Sequence, residues 1–321
     1  MKAIVQTVYG SPDVMALQEV EKPTINDDQV LVKVHAASAN PLDWHFMRGT
    51  PYFMRMVSGL IRPKNTILGA DTAGTVEAIG PDVTRFKVGD EVFGSASHGG
   101  FAEYNAMPER TLVHKPDNIT FDEAAAVPVA ALTALQGLRD QGKLEAGQHV
   151  LINGASGGVG SYAVQIAKLL GATVTGVCST RNVELVQSLG ADHVIDYKKD
   201  NFTRSNTQYD LLLDNAANHK AADFMAAIKP GGTWVLIGFS MRLMIAAGMF
   251  GKRIEKRHGK NVQMFTARII QEDLSQLAEW LKSEQLKSVI DRQYPLAETP
   301  EAIRYLETGR AKAKVIIDVT A

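Results

Sequence analysis

Cysteine is nearly absent from this chain. Cys178 is the single one in 321 residues, which excludes an internal disulfide and any multi-cysteine zinc site. An excess of charge is missing too: 34 basic and 35 acidic side chains leave a net charge of −1, so nothing suggests a nucleic-acid partner. No apolar run reaches the ~20 residues that a membrane span needs. The opening residues Met1-Lys2-Ala3-Ile4-Val5 read as a strand and not as a secretory signal. Internal repeats and low-complexity segments are also lacking. The expectation is a soluble, cytoplasmic protein with no stable membrane insertion, long enough for two domains. Cys178 is expected to pack as a small apolar residue at a strand end, a thiol open to oxidation if a nucleotide site adjoins it.

The most informative stretch present is His149-Val-Leu-Ile-Asn-Gly-Ala-Ser-Gly-Gly-Val-Gly160. A short apolar run ends in a glycine turn, and a helix opens directly behind it. Binding a dinucleotide pyrophosphate requires that order, because glycines admit the phosphates to the backbone while N–H groups and the helix dipole face the negative charge. The strict pattern G-x-G-x-x-G here reads Ala155-x-Gly157-x-x-Gly160, so Ala155, Ser156, Gly157, Gly158, Val159 and Gly160 are candidate cofactor contacts. An NAD-selective fold carries Asp or Glu about 20 residues past the first glycine, on the ribose 2′-hydroxyl. That place falls at Ser179, followed by Thr180 and Arg181, with no carboxylate. A hydroxyl and a forked guanidinium suit a 2′-phosphate, and the expected cofactor is NADPH. The plainer reading leaves Arg181 as decoration on the next helix.

Up to about residue 120 the chain is rich in strands and turns, with Gly and Pro punctuating runs such as 30–36, 74–80 and 88–93. From about Asp122 helices and strands alternate. Helices are expected at 122–140, 158–170, 181–189 and 219–228, with strands at 149–153, 173–178, 192–196, 209–214 and 232–238. That alternation predicts a parallel, doubly wound sheet, an α/β fold. The tail adds helices near 271–283 and 299–307 and a strand at 314–319.

Taken in order, Gly69-Ala70-Asp71-Thr72-Ala73-Gly74-Thr75-Val76, Lys87-Val88-Gly89-Asp90-Glu91-Val92, Gly99-Gly100-Phe101-Ala102-Glu103-Tyr104, the glycine turn and Leu189-Gly190-Ala191-Asp192 resemble the medium-chain dehydrogenase/reductase superfamily over the whole chain. The resemblance implies a GroES-like β-barrel catalytic domain formed by residues 1–122 and 266–321, with a Rossmann NADPH-binding domain at 123–265. The zinc ligands of the superfamily's alcohol dehydrogenase branch fall at Asn40, Ala70 and Val129, none a usual zinc ligand. The eight histidines are scattered, and no metal is expected. The segment Ala37-Ser38-Ala39-Asn40-Pro41-Leu42-Asp43 matches the N-P-x-D signature of the zinc-free quinone oxidoreductase branch. Val177–Asn182 and Ala191–Tyr197 resemble, more narrowly, the chloroplast-envelope quinone oxidoreductase homologues and the mitochondrial reticulon-interacting reductases.

What this resemblance implies is hydride transfer from NADPH to a quinone or to the activated C=C of an α,β-unsaturated carbonyl. An enone is already polarised, so positioning carries much of the work, and a donor must supply the enolate oxygen and α-carbon. The candidates are Asn40, Asp43, His45 and Tyr52, with Arg48 beside them. Several family members have tyrosine where this chain has His45. Asp43 reads equally as a helix cap, His45 as an exposed loop residue and Tyr52 as a packing residue. The resemblance also places Thr133 near the nicotinamide, Tyr197 over the adenine, and Lys314 within reach of the cofactor. Gly238 and Phe239 follow a strand at the carboxyl end of the sheet. Residues 240–260, methionine-rich and then basic, are read as a cleft-edge or dimer-contact helix, with a substrate-facing wall and membrane contact as alternatives. A homodimer through the edge of the nucleotide domain is expected. Metal-free alcohol–ketone interconversion and an NADPH-binding regulatory protein with little turnover remain as other readings.

Overall fold

The computed structural model describes residues 1–238, 240, 242–245, 248 and 259–321. Phe239 and most of the Met-rich, basic segment, including Met241, Met249, Lys252, Arg253, Lys256 and Arg257, lie outside the described residues. The chain forms two compact units, one of Met1–Ala130 with Ile269–Ala321 and one of Ala131–Arg268.

The first unit opens with the antiparallel pair β1 (Lys2–Val5) and β2 (Ala16–Glu19). Its main sheet is built on β3 (Gln29–Ala39), whose run of small and β-branched residues is buried along most of its length. β3 pairs with β4 (Asp71–Ile79) and β6 (Tyr104–Pro108), and β4 continues to β5 (Glu91–Ser95) and β7 (Leu112–His114). The chain tail supplies β14 (Ile290–Pro295) and β15 (Lys314–Asp318), and β15 closes antiparallel on β3. Directly after β3, α1 (Pro41–Arg48) begins: Asn40 caps it, Pro41 occupies its first turn where no N–H is needed, and Gly49 ends it at φ 58°. Ile4, Met47, Leu68, Phe101, Val315 and Ile317 pack into the core beneath α1. The short α2 (Arg55–Ser58) follows α1.

The single helix expected at 122–140 is instead two: α3 (Phe121–Ala125) and α4 (Pro128–Gln136). Pro128 has no N–H to donate, and its ring opposes helical geometry in the residue before it, so one helix stops and a second starts there. The unit boundary falls inside α4.

The second unit is a six-stranded parallel sheet in the order β10-β9-β8-β11-β12-β13. Its strands are β8 (His149–Asn153), β9 (Thr173–Cys178), β10 (His193–Asp196), β11 (Tyr209–Asp214), β12 (Ile228–Leu236) and β13 (Asn261–Met264). Val150, Leu151, Ile152, Leu211, Leu212 and Leu213 are fully buried, as strands covered on both faces must be. α5 (Gly158–Leu169), α6 (Val183–Ser188) and α7 (Ala221–Ala226) connect them. The order reverses between β8 and β11, which makes the carboxyl ends of those strands the topological switch point where this architecture binds ligands. Strand β13, which the sequence pattern did not signal, forms one edge. In the tail, α8 (Gln271–Lys282) and α9 (Thr299–Glu307) belong to the first unit. Among the described residues no helix is long and apolar enough to cross a membrane.

Candidate active site and nucleotide-binding turn

Strand register decides what meets after β3. Val315 of β15 pairs with Ala39, which brings Lys314 level with Asn40, and Asp71 of β4 pairs with Ser38. These polar groups lie inside the first unit: Asp71 and Ser38 are fully buried, Lys314 and Asn40 nearly so. Buried polar groups persist only when paired, and here they are. Asp71 Oδ2 accepts from Ser38 Oγ at 2.8 Å, Asn40 Nδ2 at 2.9 Å and Lys314 Nζ at 3.4 Å, while its Oδ1 accepts from the Val129 N–H at 2.9 Å. Lys314 Nζ also donates to Asn40 Oδ1 at 2.7 Å. Burial pulls the Lys314 ammonium below the usual lysine range, opposed by the charges of Asp71 and Asp43. Asn40 is thereby fully committed, because Nδ2 also donates to the Ser38 carbonyl at 3.2 Å.

Asp43 takes the capping role. Its Oδ2 accepts from the Asn40 N–H at 2.8 Å and its Oδ1 from the Gly69 N–H at 3.2 Å, tying the start of α1 to the turn before β4. Burial raises its pKa to about 7; the two N–H donors work against this shift and nearby Asp71 adds to it. His45 lies two residues further along α1 and is buried, with Nδ1 2.9 Å from the Thr50 carbonyl and its ring against Trp44 at 3.6 Å between centroids. A carbonyl only accepts, so Nδ1 carries the proton and Nε2 is the acceptor in the neutral ring. Burial lowers the His45 pKa from its ordinary 6.5. Tyr52 stands 74 % exposed beneath the Arg55 guanidinium, and Arg48 is bound to Glu307 through both carboxylate oxygens.

The candidate set therefore separates. Asn40, Asp43 and Lys314 are drawn together as a buried anchor, His45 sits on the same helix, and Tyr52 is at the surface. Asp71, the hub of the anchor, was not singled out from sequence. The signal available was one carboxylate inside the apolar run Ile67-Leu-Gly-Ala-Asp-Thr-Ala73. The positions where a zinc ligand set would fall do not fit that metal: Ala70 and Val129 offer no side-chain donor, and the Asn40 amide is engaged by the Lys314 ammonium and Asp71. Among the described residues no cluster of three His, Cys, Asp or Glu could hold a metal ion.

In the second unit the glycine turn has the shape a pyrophosphate needs. Gly154 adopts φ 79°, and a Cβ at Gly160 would lie 2.1 Å from the Gly154 carbonyl oxygen, so only glycine lets α5 start this close to the strand. A Cβ at Gly157, the N-cap of α5, would meet nothing nearer than that same oxygen at 3.4 Å, which leaves the turn open above the helix N-terminus. Ser156 follows β8, Ser179 and Arg181 follow β9, and Tyr197 follows β10, so the three adjacent strands deliver them to one edge. Asn182 Nδ2 donates to Ser156 Oγ at 2.8 Å and joins the first two of these loops. Asp196, which pairs with Cys178 at the end of β9, accepts from the Thr180 hydroxyl at 2.7 Å and the Lys198 N–H at 3.0 Å. Gly238 lies past β12 with its N–H on the Asp214 carbonyl, and Thr133 is carried by α4. Cys178 is buried, and burial pushes its thiol up to about 11, which keeps it protonated and unreactive.

Residues 26–117 match the alcohol dehydrogenase GroES-like domain family, and residues 189–317 the zinc-binding dehydrogenase family. The chain belongs to the medium-chain dehydrogenase/reductase family. It is 38 % identical to the 2-methylene-furan-3-one reductase of Solanum lycopersicum, over 99 % of this chain and 79 % of that one. The NADPH-dependent alkenal/one oxidoreductase of Arabidopsis thaliana, chloroplastic, is 35 % identical over the same shares, 99 % and 79 %. The structure of the quinone oxidoreductase from Coxiella burnetii superposes with a TM-score of 0.87 at 31 % identity, covering 99 % of both chains.

Two outcomes are expected. Replacing Lys314 with Met strands the Asp71 carboxylate in the core and lowers the unfolding free energy by about 3–5 kcal/mol, read from urea midpoints. Asp43 stays protonated in the folded chain up to about pH 7 but ionises above its ordinary 3.8 when unfolded. The stability it contributes is therefore complete below that lower value and lost as pH rises through the window between the two. In Asp43→Asn this slope disappears, with a uniform loss of about 1 kcal/mol from the weakened cap; the pH series of urea midpoints reads both.

Proposed function

We propose that the chain is an NADPH-dependent oxidoreductase that reduces a quinone or the activated C=C of an α,β-unsaturated carbonyl, without zinc. The observation that carries this reading is the glycine turn at Gly154–Gly160 together with the segment Ser179–Arg181 after β9, which itself brings a hydroxyl and a guanidinium and no acid. The turn fits a pyrophosphate, and Ser179 with Arg181 fits a 2′-phosphate better than a ribose hydroxyl. The names of the relatives, reductases of enones and quinones, support the substrate class. When bound, NADPH supplies the hydride.

The remaining steps belong to the chain's own residues. The α5 N-terminus and the 154–160 backbone hold the pyrophosphate, Ser156 and Asn182 keep the neighbouring loops in register, and Tyr197 offers a half-exposed ring to the adenine. Thr133 and Gly238 border the nicotinamide end in this reading. Asn40, Asp43, Asp71 and Lys314 hold the start of α1 rigid, so His45 is presented from a fixed helix. Its ring orientation is set by the Thr50 carbonyl and its Nε2 is buried; in the imidazolium form that nitrogen would give up the proton that the enolate left by hydride addition takes up. The substrate is a small molecule and nucleic acid has no part. Zinc chemistry is replaced by polarisation already present in the enone. In this reading the protein works in the cytoplasm as a homodimer paired through an edge of the nucleotide unit.

Turnover of enones or quinones should prefer NADPH to NADH and ignore a chelator. Ser179→Asp puts a carboxylate where the 2′-phosphate is read, and should cut kcat/KM for NADPH by roughly tenfold to a hundredfold with little loss for NADH. NADPH oxidation at both cofactors checks this, and unchanged preference would exclude the assignment. If His45 is the acid, the rate falls as pH rises through a group titrating below 6.5. His45→Gln should flatten that limb of the pH–rate profile.

A further inference from the structure

Between Asp43 and Asp71 the chain has no acidic residue, while Arg48, Arg55, Arg62 and Lys64 fall within that stretch. Its middle part turns apolar side chains outward: Met56, Val57, Leu60 and Ile61 are exposed by 72–86 %, alongside Tyr52 and Phe53. Apolar patches of this kind on a folded protein mark interaction sites. The platform is built and not a loose loop. Tyr9 supports it from beneath, with its hydroxyl 2.9 Å from Ser58 Oγ and donating to the Gly59 carbonyl at 2.6 Å. The Lys64 N–H closes back on the Ser58 carbonyl at 2.8 Å, and Arg55 Nε donates to the Gly49 carbonyl at 3.0 Å. Gly59 makes the turn at φ 118°, where a Cβ would meet the Arg62 carbonyl oxygen at 2.1 Å. Holding the backbone this way directs Val57, Leu60 and Ile61 to solvent. Arg62 and Lys64 are exposed and make no salt bridge among the described residues.

We propose that this platform, residues 52–64, is a peripheral docking surface for an anionic lipid bilayer. Exposed aliphatic and aromatic groups next to unpaired cations, with no acid among them, match an interface that offers hydrocarbon beneath negative headgroups. A second copy of the chain fits less well. In a two-fold contact the same patch faces itself, which would bring Arg62 and Lys64 toward their own equivalents. Neither a membrane span nor the Met-rich segment is needed for this contact. Binding is a separate property from turnover, so the inference stands or falls independently of the reductase reading.

The test is co-sedimentation of the full-length protein with vesicles of phosphatidylcholine, with and without phosphatidylglycerol. Binding is expected only with the anionic lipid, and raising the salt to about 1 M, where the Debye length is ~3 Å, should weaken it severalfold. Leu60→Ser/Ile61→Ser and Arg62→Glu/Lys64→Glu should each reduce the partition coefficient by about tenfold or more. Their melting temperatures should match the parent protein, because all four side chains are exposed. Failure of the parent protein to bind anionic vesicles overturns the proposal, as does undiminished binding by both variants. Sedimentation velocity supplies the remaining outcome: if Leu60→Ser/Ile61→Ser converts a dimer to a monomer, the patch is a contact between copies and the proposal is wrong.

Discussion

The Asp71–Lys314 contact is the constraint on which the first unit depends. Both groups are in the core, where an uncompensated charge costs several kcal/mol. They come from β4 and from the far end of the chain, so the carboxylate gains its opposite charge only when β15 has returned to its place beside β3. The same carboxylate accepts from Ser38 and Asn40 on the β3 side and from the Val129 N–H at the start of α4. One buried acid thus joins four places in the chain, and Asn40, oriented by it, passes that order on to α1 through its N–H, which donates to the Asp43 carboxylate. A pair of this kind contributes specificity of register more than net stability. A slip of β15 by one residue would turn Lys314 to the opposite face and leave Asp71 without its cationic partner.

At the three positions that the resemblance matches to zinc ligands, this chain has an amide and two apolar residues, and the amide is held by the internal Lys314 ammonium. The Lys314 ammonium donates to Asn40 and Asp71 and is enclosed by them. Its consequence is mechanical: the N-terminus of α1 is clamped, and His45 on the next turn inherits that rigidity.

The second unit uses the opposite strategy. Its candidate site relies on backbone and on the absence of side chains, with Gly160 packed against the Gly154 carbonyl and Gly157 open at the helix N-terminus. Side chains enter mainly to hold loops, as Asn182 does on Ser156 and Thr180 does on Asp196. The latter contact holds the Asp196 carboxylate on the loop between Ser179 and Asn182, and Lys199 Nζ stands 3.8 Å from the same carboxylate oxygen.

Period and punctuation in the sequence determined the parallel sheet, the glycine turn and most strands of the second unit, because each of these is dictated by residues close together in the chain. Strands 173–178 and 209–214 and the helix at 299–307 appear at the bounds their patterns predict. Pro128 carried the break between α3 and α4, yet the apolar run around it masked the signal. β13 is short and half exposed, and it leaves no strong alternation to read. The roles of Asn40, Asp43 and Lys314 could not be separated locally, since a capping carboxylate and a catalytic one are the same residue type at the same spacing. Only the tertiary structure decided that Lys314 is an internal partner of Asn40 and that Asp71 is the hub. Those facts follow from strand register across more than two hundred residues of chain (β15 against β3, and β3 against β4), and register is set by packing of the whole unit, not by any one segment.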